Sequence, residues 1–67
     1  MSTIKVTPRD VLNDDGKLAA IEYYDEAGEF QIQAMWDSTD EHTPETIDHF
    51  RKWANKLVSQ LEFEIGE

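Results

Sequence analysis

Residues 43–61 carry the signal that most limits the fold. Ile47, Phe50, Ala54, Leu57, Val58 and Leu61 recur at spacings of 3, 4, 3, 1 and 3, which lays them along one stripe of an α-helix. Trp53 flanks that stripe, one turn after Phe50 and one turn before Leu57. Thr43 suits the N-cap, where its hydroxyl can accept a bond from an orphan amide of the first turn. Pro44 suits the first helical position, where a missing N–H costs nothing. Glu45 and Asp48 sit near the positive end of the helix dipole, and Lys56 lies toward the negative end. A single amphipathic helix must bury its stripe against something, and what precedes it reads as strands.

Residues 29–36 alternate, with Phe30, Ile32, Ala34 and Trp36 on one side and Glu29, Gln31, Gln33 and Met35 on the other. Residues 17–24 are rich in β-formers; Ala19, Ile21 and Tyr23 oppose Leu18, Ala20, Glu22 and Tyr24, so both faces carry some apolar area. Asp25-Glu26-Ala27-Gly28 is the turn between them, with Gly28 free to take positive φ. Asn13-Asp14-Asp15-Gly16 is a second strong turn. Residues 4–7 suit a third strand, whereas Thr7-Pro8-Arg9-Asp10 repeats the Thr-Pro signal and suits a helical turn through Val11 and Leu12. Glu62-Phe63-Glu64-Ile65 reads either as a short edge strand or as a frayed helix end. The expected fold class is therefore α+β: a small antiparallel sheet of about three strands, with one C-terminal amphipathic helix packed on Phe30, Ile32, Ala34 and Trp36 of one face.

The 67 residues suffice for one domain, residues 1–67, and form a thin core. Cysteine is absent, so neither disulfides nor thiolate metal sites contribute. No apolar run approaches the roughly 20 residues that span a bilayer. The N-terminal Met1-Ser2-Thr3-Ile4-Lys5 lacks the hydrophobic region of a signal peptide, so the expected location is cytoplasmic.

Fifteen acidic residues against six basic ones leave a net charge of −9. That argues against direct contact with nucleic acid, whose phosphates need Lys and Arg, and against an anionic membrane surface. It suits a protein partner with a basic surface, which a negative field steers into contact. It also suits plain solubility.

Site chemistry is sparse. Asn13, Asp15, Gly16 and Glu22 fall at positions 3, 5, 6 and 12 of a calcium loop, but Val11 stands at position 1 and cannot ligate, so an ordinary hairpin turn is expected. His42 and His49 with Glu41 and Glu45 are the only zinc-like group, and read better as solvated pairs. The adjacent carboxylates Asp14/Asp15, Asp25/Glu26 and Asp40/Glu41 fall in turns or loops rather than in a pocket that would separate their pKa values. Ser2, Ser38 and Ser59 have no histidine suitably placed, and Gly16, Gly28 and Gly66 make no phosphate loop. The expectation is a protein that is not an enzyme, with no cofactor and no metal.

The strongest functional feature is the distributed acid. Asp14, Asp15, Glu22, Asp25, Glu26 and Glu29 are expected to line one hairpin and its turns. Asp37, Asp40, Glu41, Glu45 and Asp48 are expected along the loop into the helix and its first turn. Tyr23 and Tyr24 are neighbours on a strand, so they point to opposite faces, and one of them is expected as an aromatic anchor. In size, charge and lack of catalytic residues the chain resembles the small acidic inhibitors of phages and mobile elements, among them nucleic-acid mimics. That resemblance implies an antagonist docked on a positively charged, nucleic-acid-binding surface of a partner. The alternative is a housekeeping binding module or accessory subunit that forms a homodimer through a sheet face around Leu18, Ala20, Tyr24 and Met35, with charge serving only solubility.

Overall fold

A computed structural model describes residues 3–36 and 41–66. The element order is β1 (Ile4–Leu12), β2 (Leu18–Tyr24), β3 (Phe30–Met35), α1 (Pro44–Ser59) and β4 (Phe63–Ile65). The four strands form one sheet in the order β3-β2-β1-β4, antiparallel except for the parallel pairing of β1 with β4. The α+β reading holds, but the sheet is mixed and has a fourth strand. The helix carries the chain across the sheet from one edge to the other, and this crossover makes β4 parallel to β1.

Both hairpins turn by the same device. Asn13 Oδ1 accepts the N–H groups of Asp15 and Lys17, at 2.9 and 3.0 Å, and Gly16 follows at φ 77°. Asp25 Oδ1 accepts those of Ala27 and Glu29, both at 2.9 Å, and Gly28 follows at φ 85°. A short side-chain acceptor three residues ahead of a glycine closes each turn without bending any β-carbon into a forbidden region.

β1 runs straight through Pro8, so residues 8–12 form strand and no helical turn. The reason lies in its hydrogen-bonding partners. Pro8 stands opposite Tyr23, and its neighbours Thr7 and Arg9 stand opposite Tyr24 and Glu22. On the other side, Ile4 N–H donates to Glu62 O at 3.1 Å and Val6 O accepts from Gly66 N–H at 2.7 Å. The next bond of a parallel ladder would come from the N–H of residue 8, which proline lacks. Pro8 thus ends the β1–β4 ladder rather than starting a helix.

Cross-strand rows assign the two faces. Asp10, Ile21 and Ala34 form one row, and Pro8, Tyr23 and Ile32 another; both lie beneath α1. The core gathers Val6, Leu18, Ile21, Tyr23 and Ala34 of the sheet with Phe50, Ala54 and Val58 of the helix. Ile32, Trp36, Ile47, Phe63 and Ile65 pack around it, each partly buried. Burying one such aliphatic side chain stabilises by about 1.5–3 kcal/mol. Two register shifts alter what simple alternation implies. Between Tyr23 and Tyr24 the pairing skips Gln31, which places Phe30 opposite Tyr24 on the far face, 51% exposed, and not under the helix. Between Val11 and Leu12 the pairing skips Ala19, and Leu18 joins the core.

Helix α1 is capped by Thr43, whose hydroxyl accepts from Thr46 N–H while Thr46 Oγ1 accepts from Thr43 N–H. Its buried positions are Phe50, Ala54 and Val58. Leu57, expected in the buried stripe, is instead exposed beside Trp53, and Leu61, expected there too but past the helix end at Ser59, is exposed as well. The buried line follows every fourth residue, so the flank that carries Trp53 and Leu57 turns away from the sheet centre.

Candidate interaction surface

Arg51 and Asn55 lean from the helix toward β1 and β2. Arg51 makes a bidentate pair with Asp10, at 2.6 and 2.7 Å, and Tyr23 Oη donates to Asn55 Oδ1 at 2.7 Å. The guanidinium holds the Asp10 carboxyl below its ordinary range, chiefly by hydrogen bonding to its ionised form. Desolvation raises the Tyr23 phenol above its ordinary value. Tyr23 is wholly buried, so it is a core residue and not an aromatic anchor.

Tyr24 occupies the open face. Its hydroxyl donates to Glu22 Oε1 at 2.7 Å, the Arg9 guanidinium lies 4.8 Å from its ring centroid, and Phe30 meets it edge-on at 5.9 Å. The bond to Glu22 is the first cause that raises its phenol pKa. The open face thus comprises three rows: Val11, Ala20 and Met35; Arg9, Glu22 and Gln33; Thr7, Tyr24 and Phe30. Leu18, assigned to this face by alternation, has left it for the core.

The acids divide between the two ends of a molecule 39 Å long. Asp14 and Asp15 tip the first hairpin. β3 ends and α1 begins at that same end, so Glu41, Glu45 and Asp48 join them there. Asp25, Glu26 and Glu29 form the opposite end, with Glu22 between on the open face. The acids expected to line the hairpin and its turns thus gather mainly in those two turns, at opposite ends of the molecule. Asp25 is engaged by its own turn and by Gln31 Nε2 at 2.9 Å. Asp48 pairs with Lys52 at 2.9 Å. Asp14, Asp15, Glu26, Glu29, Glu41 and Glu45 are exposed and make no ion pair among the described residues. Asp37 and Asp40 lie outside the described residues.

His42 does structural work. Its Nε2 lies 2.7 Å from Leu18 O, and its ring stacks on Trp36 with centroids 4.0 Å apart. It ties the entry of α1 to the start of β2. His49 is exposed on the helix. Among the described residues no three His, Cys, Asp or Glu side chains converge as metal ligands. No described helix is long and apolar enough to cross a membrane.

Sequence reasoning missed the Asp10–Arg51 latch and the Arg9–Tyr24–Glu22 cluster. The first depends on how the helix seats on the sheet and the second on strand register, and no local pattern announces either. Compared with family models, curated proteins and solved structures, the chain gives no significant match.

Proposed function

We propose that this protein is a non-enzymatic antagonist of the phage or mobile-element type, docking its acidic ends on a positively charged, nucleic-acid-binding surface of a partner protein in the cytoplasm. One observation carries the reading: six carboxylates, Asp14, Asp15, Glu26, Glu29, Glu41 and Glu45, project from the two ends without internal counter-ions among the described residues. Carboxylates neutralised within the fold would have little field to offer; these retain theirs. Two negative ends on a narrow body, 21 by 18 Å across, suit insertion into a basic groove shaped for a nucleic acid.

Such docking is fast and salt-sensitive, because the exposed charges are screened beyond about 10 Å at 0.1 M salt. Capture of a partner from a lysate, repeated up a salt series, tests it. Retention falls steeply with salt on this reading. Retention that is flat from low to high salt removes the acidic ends as the contact.

A further inference from the structure

Strand β3 is a sheet edge, and its outward backbone groups can be identified. Trp36 N–H donates to Ala19 O at 2.9 Å, so residues 36, 34 and 32 direct their backbone toward β2. Gln33 and Met35, at the alternate positions, direct N–H and C=O away from the sheet. Such an edge is a template for another strand, and folded proteins usually guard it with charge or proline. β3 has neither. β1 carries Lys5, Arg9 and Asp10, β2 carries Glu22 and β4 carries Glu64, whereas Phe30-Gln31-Ile32-Gln33-Ala34-Met35 carries no charge.

We infer that β3 pairs antiparallel with β3 of a second copy of this chain, about a twofold axis at Ala34, joining two four-stranded sheets into one of eight. Charge selects this occupant. A basic partner is drawn to carboxylates, and β3 has none. A second copy carrying the same −9 is repelled wherever it approaches, and least along a strand that brings no like charge into contact.

Register agrees. With Ala34 opposite Ala34, Gln33 of each copy faces Met35 of the other, and their four free backbone groups per chain are all matched. Ile32 then meets Trp36 on the helix side, and Gln33 meets Met35 on the open side, so each residue keeps its face. The Gln31 bulge falls outside the paired stretch. A twofold normal to the sheet also sets both helices on the same face. Because Arg51 and Asn55 lean toward β1 and β2, the opposite flank of α1 is turned toward the β3 side of the sheet. That flank bears Trp53 and Leu57, 47% and 39% exposed, which the junction would cover from both copies.

Sedimentation of the full chain over a protein and salt series tests this, with exchange of the Gln33 and Met35 amides followed by NMR. A dimer is expected that tightens as salt rises, because screening relieves the repulsion between copies. This is the opposite of acid-mediated docking, so the two proposals fail separately. Gln33→Pro removes an outward donor and sets a ring into the junction while leaving the β2 ladder intact. It is expected to raise the dimer Kd by at least about tenfold. If that variant does not fold, amide exchange on the native chain decides. Gln33 and Met35 amides slow with protein concentration if β3 pairs. A monomer at every concentration and salt, a dimer indifferent to Gln33→Pro, or amides whose exchange ignores concentration would each overturn the inference.

Discussion

Adjacent residues separate the two faces of the sheet. Tyr23 lies under the helix, fully buried, its hydroxyl bound to Asn55; Tyr24 lies on the open face, tied to Glu22 and Arg9. Both are tyrosines on one strand, and both make a hydrogen bond of 2.7 Å. Only Tyr23 joins elements distant in sequence. The covered face holds the fold together, and the contacts proposed above fall at the two ends and the β3 edge. On the proposed function, stability and partner contact occupy different surfaces, and substitutions should sort accordingly.

The sharpest contrast is between truncations of the two tyrosines. Tyr23→Ala leaves a core cavity, costing about 3–5 kcal/mol, a large share of what a domain this small possesses. Tyr24→Ala removes an exposed ring and is expected to cost less than about 1 kcal/mol. Chemical denaturation of both variants measures the difference, and equal losses would dissolve the distinction between the faces.

A smaller effect is expected at the latch between β1 and the helix. Asp10→Asn should cost about 0.5–1 kcal/mol, a figure held low because both partners are about two-fifths exposed. The folded pKa of Asp10 is lowered, so its contribution is fully present above the ordinary value of 3.8 and is lost as pH falls through the lowered folded value. Wild type and variant should therefore differ at neutral pH and converge in strong acid. A constant gap across that range would show that the pair acts through packing.

On the open face the expected change is spectroscopic rather than thermodynamic. Glu22→Gln removes the carboxylate that holds the Tyr24 phenolic proton, so the Tyr24 titration should move down toward 10 while that of Tyr23 stays in place. Ultraviolet titration with Tyr24→Phe as reference assigns the two steps. A Tyr24 curve unmoved by Glu22→Gln would break the cluster.

What the sequence reveals of this molecule follows the range of the interactions involved. Helix α1 was legible because Thr43, Pro44 and the Phe50–Ala54–Val58 spacing are local signals, and both turns were legible because Asn13/Gly16 and Asp25/Gly28 act within five residues. β4 was an open alternative, since three residues acquire strand character only from β1, far off in sequence. Thr7-Pro8 looks alike at a helix start and on a strand whose outer ladder has ended. The bulges at Gln31 and Ala19 moved Phe30 out of the core and Leu18 into it, and alternation cannot foresee a skipped residue. For the candidate surface, the acids were visible but their division between two ends depends on topology. The uncharged β3 was visible too, yet only the strand order makes it an edge.

The central claim is that the unpaired acids of the two ends make the contact. Replacing Asp14, Asp15, Glu26, Glu29, Glu41 and Glu45 with their amides leaves the covered face and both ion pairs intact, so circular dichroism should match the native chain. Partner capture at low salt is the decisive measurement. The account predicts that the folded, neutralised protein no longer retains what the native chain retains; undiminished capture by that variant would contradict it.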